Sequence, residues 1–153
     1  MSREAIEKAK EQVIWGCRTM VEKGYALGTA GNISARVEDE NLFVITPSAR
    51  PYLTMKTEDL VIGDLDGNVV WGTYRPSIEF SMHLGIFKER REVNCIVHTH
   101  SKFATAVSAI DGIERVPVMD IEGVVYLGGE ILVAPFAPPG SKELAAFVRE
   151  TIG

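Results

Sequence analysis

The stretch from Ile33 to Trp71 constrains this chain more than any other, because its apolar residues come in short runs at strand spacing, broken by polar turns. Ile33, Ala35 and Val37 alternate along one extended segment and Leu42-Phe-Val-Ile-Thr46 makes a second, with the hairpin-like loop Glu38 to Asn41 between them. A turn-rich passage, Thr46-Pro-Ser-Ala-Arg-Pro51, leads to Leu60 through Trp71, where Asp66-Gly67 is a strong signal for a two-residue hairpin. Four short strands joined by polar turns predict an antiparallel meander.

Helical periodicity flanks this region. Ile6, Val13, Cys17, Met20 and Val21 recur at helical spacing between Arg3 and Lys23, and Gly24 is a stop signal. Ser77 is expected to cap a helix running to about Arg91, with Phe80, Leu84 and Phe87 on one face and Glu79 in its first turn. The β-branched run from Val93 to His98 reads as a buried strand. Beyond it the pattern predicts a helix from Lys102 to Ile110, short strands at Val116–Met119 and Ile131–Ala134, and a last helix from Ser141.

At 153 residues the chain has the length of one domain, and 46% hydrophobic content agrees with a folded one. Sixteen Lys and Arg against 21 Asp and Glu give a net charge of −5, and no basic run exceeds Arg90-Arg91, which argues against a nucleic-acid partner. No apolar stretch approaches the roughly 18 residues that cross a bilayer, and the charged N-terminus is unlike a secretion signal, so a cytoplasmic protein without a membrane partner is expected. Cys17 and Cys95 lie in separate apolar segments and read as reduced core thiols.

The chemistry converges on His98-Thr99-His100, two of only three histidines in the chain. Side chains two apart on a strand share a face and can meet at one ion. Imidazole suits zinc, iron, nickel or copper, so the spacing points to a divalent transition metal. Glu79, opening the helix that feeds the His strand, is the best further ligand, with Asp120 and Glu122 as weaker options. His83 shares the helical face of Glu79 but falls beside Phe80 and Phe87, and reads as a core histidine or a support for the ligands. A second constellation, Gly28-Thr-Ala-Gly31-Asn32, Thr46-Pro-Ser48-Ala49 and Pro76-Ser77, offers small residues, backbone N–H groups and hydroxyls that can cradle a phosphate without a basic cluster.

The order Gly31-Asn-Ile-Ser, Thr46-Pro-Ser, Pro76-Ser-Ile-Glu79 and His98-Thr-His100-Ser resembles the class II aldolase/adducin family from about Ala5 to Val148, its L-fuculose-phosphate aldolase members above all. The resemblance implies a three-layer α/β/α sandwich around a mainly antiparallel sheet, and a homotetramer with active sites between subunits. It further implies zinc held by His98, His100 and Glu79, proton transfer by Glu79, and phosphate binding by Gly31, Asn32, Ser48, Ala49 and Ser77. The reaction implied is reversible cleavage of a ketose 1-phosphate to dihydroxyacetone phosphate and an aldehyde, with the charge left on C–C cleavage held as an enediolate.

Lys56 and Lys102 lack the apolar surroundings that an imine-forming lysine needs. Relatives supply a third histidine from a later segment, so residues 1–153 are expected to form one domain of this type without its C-terminal part. Ile78 stands where aldolases often carry a second phosphate-binding serine, and their aldehyde-side tyrosine has no clean counterpart, Tyr126 lying several residues late. Sugar-phosphate epimerases, a methylthioribulose-phosphate dehydratase and non-enzymatic adducin-like modules share the family.

Overall fold

The computed structural model describes residues 2–153. Helix α1 (Arg3–Glu22) starts where the Ser2 hydroxyl accepts the Ala5 N–H at 3.3 Å, and it buries Ile6, Ala9, Val13, Ile14, Cys17 and Met20 against the sheet. The sheet runs β1 (Asn32–Arg36), β2 (Leu42–Ile45), β3 (Val61–Asp64), β4 (Val69–Trp71) and β5 (Cys95–His98), in the spatial order β4-β3-β2-β1-β5. Every pairing is antiparallel, so the meander predicted from alternation is present and β5 is added beside β1. Among the described residues no helix is long and apolar enough to cross a membrane.

Both faces of the central strands are covered. Leu42 and Val44 of β2 join Ile33, Ala35 and α1 in one core, while Phe43 and Ile45 meet Phe87 of α2 (Phe80–Glu89) in another. The ring of Phe43 lies 5.1 Å from that of Phe80 and 5.3 Å from that of Phe87, centroid to centroid. Full burial of such side chains contributes about 1.5–3 kcal/mol each, so the two clusters seal the sheet on both sides. Helix α5 (Lys142–Ile152) packs on α2, and its Ile152 carbonyl accepts a hydrogen bond from Arg90. The result is the α/β/α layering expected.

Several boundaries differ from the sequence reading. The Asp66-Gly67 turn is not a two-residue hairpin but part of a four-residue loop, because the Asp64 carboxylate accepts the N–H groups of Asp66 and Asn68 and stabilises the wider turn. Helix α2 begins at Phe80 and ends at Glu89. Ser77 does not cap it: the Ser77 hydroxyl accepts the N–H of Glu79 at 3.2 Å in a preceding turn, and Glu79 itself is the residue before the helix.

Strand β5 is an edge strand rather than a buried one, and Val97 is 53% exposed. Cys95 on the same strand is exposed, so only Cys17 is a core thiol; both are free. Beyond α3 (Lys102–Ser108) the short strands are shorter than predicted, β6 (Arg115–Val116) and β7 (Ile131–Leu132), and they pair only with each other. A helix that periodicity did not reveal, α4 (Ile121–Leu127), lies between them, capped by Asp120 and ended by Gly128 in the left-handed region.

Gly31 is fixed by close approach. Its φ is +81°, and a Cβ there would lie 2.4 Å from the backbone oxygen of His98. Gly28 has φ +62° with nothing within 4 Å of such a Cβ. Gly28→Ala should therefore cost only left-handed strain, about 1–2 kcal/mol, and Gly31→Ala distinctly more. Urea unfolding of the two variants checks this; equal losses would mean that the contact with the end of β5 is not constraining.

Candidate active site

The end of β5, the turn before α2 and the loops after α1 and β2 border one cavity of about 580 Å³. Gly31, Asn32, Ser48 and Ala49 line it from one side. Ser77, Glu79, His98 and His100 line it from the other, so the structure brings all of the predicted site residues together. Asp120 and Glu122 are not among its lining residues: the Asp120 carboxylate caps α4 by accepting the Gly123 N–H at 2.7 Å, and Glu122 stands in the first turn of that helix.

The loops are joined through Thr46, which is fully buried. Its carbonyl accepts the Ser77 N–H at 3.0 Å, its N–H donates to the Ile33 carbonyl at 3.0 Å, and its hydroxyl accepts the Ile33 N–H at 3.3 Å. Two residues further, the Ser48 N–H donates to the Arg75 carbonyl at 2.9 Å. Three small-residue segments, separate in sequence, thus share one hydrogen-bonded frame. Within it Ala49 adopts φ +55°, a conformation costly for a residue with a Cβ. Tyr52, buried beneath, donates its hydroxyl to the Gly31 carbonyl.

The histidines sit where strand geometry puts them. His98 is the last residue of β5 and pairs directly with Asn32, whereas His100 lies beyond the strand with its N–H bonded to the Tyr25 carbonyl at 2.8 Å. Their ring centroids are 5.0 Å apart. Two imidazoles bound through nitrogen at ~2.1 Å to one tetrahedral ion would have centroids about 5 Å apart, so the pair has the spacing that a shared ion needs.

The His98 Nδ1 is buried with no hydrogen-bond partner, an unsatisfied atom of the kind a ligand or an ion relieves. Burial, and secondarily the charge of His100, lowers the His98 pKa and keeps the ring in the neutral form that binds metals. Among the described residues no group of three His, Cys, Asp or Glu side chains stands ready to hold an ion. The donor chemistry of the pair nonetheless fits a divalent transition metal.

Glu79 is only 5% exposed, and burial raises its pKa above the ordinary carboxylate range. Two effects oppose this rise: the Gly140 N–H, which donates to Oε1 at 3.2 Å, and the nearby charge of His100. Gly140 was missed in the sequence reading. Its only signal there is the Pro138-Pro139-Gly140 turn that precedes the last helix. His83, the remaining histidine, has no exposed surface and is held between Ser34 and Asn32, so it is a support and not a ligand. Burial drives its pKa down to about 3.

The model of the Class II Aldolase and Adducin N-terminal domain matches residues 11–153. This chain belongs to the class II aldolase and adducin family. Its relatives include the L-fuculose phosphate aldolase of Methanococcus maripaludis strain S2, 38% identical over 136 residues, with 89% of this chain and 72% of the relative covered. The 5-deoxy-D-ribulose 1-phosphate aldolase of Bacillus thuringiensis serovar kurstaki is 35% identical over 140 residues, covering 92% of this chain and 64% of its own length. A solved L-fuculose 1-phosphate aldolase superposes with a TM-score of 0.86 at 32% identity, over 98% of this chain and 69% of that one. The chain therefore spans about two thirds of these family members. Others are named for decarboxylation of a 3-oxo-tetronate 4-phosphate or 4-epimerisation of L-ribulose 5-phosphate.

Burying an ionisable Glu79 carries a testable cost. With its folded pKa raised, the penalty is absent below the ordinary carboxylate pKa of 4.5 and fully present once pH exceeds the folded value. In metal-free protein Glu79→Gln should raise Tm at pH 7, and the gain should vanish as pH falls below about 4.5. Thermal melts of parent and variant across that window check the sign; a Tm loss at neutral pH would contradict it.

Proposed function

We propose that this chain is the catalytic domain of a zinc-dependent sugar-phosphate aldolase that reversibly cleaves a ketose 1-phosphate, of the L-fuculose 1-phosphate type, to dihydroxyacetone phosphate and an aldehyde. What carries the reading is the single cavity in which paired imidazoles, a buried carboxylate and a cradle of small residues and hydroxyls face one another. In it His98 and His100 would hold the ion, with Glu79 beside them. A divalent ion held there would supply Lewis acidity toward the carbonyl and adjacent hydroxyl of a bound ketose.

The protein's own part is positional and protolytic. The N–H groups and hydroxyls around Gly31, Asn32, Ser48, Ala49 and Ser77 bind the phosphate without a lysine or arginine, in keeping with an acidic chain. Glu79, desolvated and held by the Gly140 N–H, moves the proton at ketose C3, the carbon left negative by C3–C4 cleavage that becomes the hydroxymethyl carbon of dihydroxyacetone phosphate, a role worth about 10²- to 10⁴-fold. Ile78, 60% exposed beside the cavity, presents a side chain without a donor where aldolases often place a serine, so phosphate recognition leans on the remaining groups.

The reading extends to a cytoplasmic homotetramer. Phe103, Met119, Tyr126 and Phe136 are all more than four-fifths exposed, which supports burial against further protein, and the free thiols suit a reducing compartment.

The test is cleavage of L-fuculose 1-phosphate and related ketose 1-phosphates by zinc-loaded protein, coupled to detection of dihydroxyacetone phosphate. Glu79→Gln should retain zinc and lose at least about 100-fold in kcat, whereas His98→Ala and His100→Ala should lose the ion itself. Turnover of a pentulose 5-phosphate or an oxo-tetronate phosphate without aldol cleavage would reassign the reaction to the epimerase or decarboxylase type. A folded protein that takes up no stoichiometric metal would point to a non-enzymatic module.

A further inference from the structure

His83 is fully buried at the centre of a polar seam, and the proposed chemistry does not use it. Its Nε2 lies 2.5 Å from the Asn32 Oδ1 and its Nδ1 lies 2.6 Å from the Ser34 Oγ. A neutral imidazole has one donor and one acceptor, so two arrangements are conceivable. With the proton on Nε2, the ring donates to the Asn32 carbonyl and accepts from the Ser34 hydroxyl. With the proton on Nδ1, the ring donates to Ser34 and the Asn32 amide must turn over to donate to Nε2.

The second arrangement fails on counting. The Ser34 hydroxyl has no exposed surface and, among the described residues, no partner other than His83, so its proton would have no acceptor. Stranding a buried donor is the costly side of hydrogen bonding. A charged ring, with both nitrogens donating, strands the same hydroxyl proton. Only the Nε2–H tautomer satisfies all three side chains, and it leaves the Asn32 NH2 as the free end of the amide. Asn32 lines the cavity directly opposite His98 in the β1–β5 register, and its Nδ2 has no acceptor among the described residues.

We propose that His83 is a positioning residue: as the Nε2–H tautomer selected by Ser34, it locks the Asn32 carboxamide with its carbonyl inward and its NH2 toward the cavity, where the NH2 donates to a phosphate oxygen of the substrate. The inference rests on the sugar-phosphate reading of the cavity and adds the element that gives Asn32 its polarity. Without the imidazole N–H the Asn32 carbonyl has no partner inward, and the amide can turn or withdraw so that its aligned hydrogen bond to the anion is lost. A locked amide presents only N–H. The lock stands beneath the cavity floor and touches no ligand.

Inorganic phosphate is the probe, on zinc-loaded protein labelled with ¹⁵N at histidine and at asparagine side chains. Imidazole ¹⁵N shifts of His83, assigned by their loss in His83→Gln, should show the proton on Nε2, and phosphate should shift the Asn32 NH2 resonances. His83→Phe should bind phosphate roughly 10- to 100-fold more weakly, the loss of one aligned hydrogen bond to a charged group. His83→Gln, whose own amide can donate near the Nε2 position, should regain most of that loss, which filling space alone would not do. Should the Phe variant not fold, Ser34→Ala leaves the ring in place, removes the selecting hydroxyl, and should also weaken phosphate binding.

A proton on Nδ1, or parental phosphate affinity in folded His83→Phe or, failing that, in Ser34→Ala, overturns the proposal. Phosphate bound with Asn32 unmoved sinks this inference alone. A parent that binds no phosphate and cleaves no ketose phosphate sinks the proposed function with it.

Discussion

The site depends on β1 being buried on both faces. Ile33 and Ala35 close the α1 side, which obliges Asn32 and Ser34 to enter the opposite interior although both are polar. A buried amide and hydroxyl are tolerated only when their hydrogen-bonding capacity is used, and a single imidazole from α2 meets both at once. The polar seam is therefore a structural solution first, and through Asn32 it reaches the lining of the cavity. His98 extends over the same face, because antiparallel register sets it across from Asn32.

Rigidity around the cavity comes from backbone more than from side chains. Thr46 ties β1 to the turn before α2, and Ser48 ties the loop after β2 to Arg75, so the small-residue segments cannot move apart without breaking backbone hydrogen bonds, those of Thr46 among them buried. Preorganised N–H groups are the means by which an acidic protein can bind an anion. The left-handed Ala49 marks where this frame imposes a conformation the residue does not favour, and such strain gathers at functional sites.

Much of this was legible in the chain. Period-two alternation revealed the meander because its strands pair with sequence neighbours, and the 3.6-residue period revealed α1, α2 and α5. His98, His100 and Glu79 were readable because their spacing and placement are local properties. What was not readable depends on distant contacts. The edge position of β5 follows from which strand it joins, which its β-branched sequence does not encode, so burial was overestimated for Cys95 and Val97. The link from Gly140 to Glu79 spans 61 residues of chain. Helix α4 is one short stretch, Ile121–Leu127, with Gly123 inside it and apolar residues that remain exposed, so no amphipathic pattern announced it. The role of Thr46 lies mostly in its backbone, and no side-chain motif reports that.

The distribution of buried residues has a consequence for biogenesis. From Ile6 to Phe87 the chain supplies every member of both core clusters, and afterwards only Ala137 is a fully enclosed apolar side chain. A nascent polypeptide can thus condense its interior from nearby pieces before the histidine-bearing edge is translated and docks. Under the proposed function, binding of an ion would then be a finishing step on a body that already holds its shape, unlike small zinc modules whose ion must arrive before they can fold.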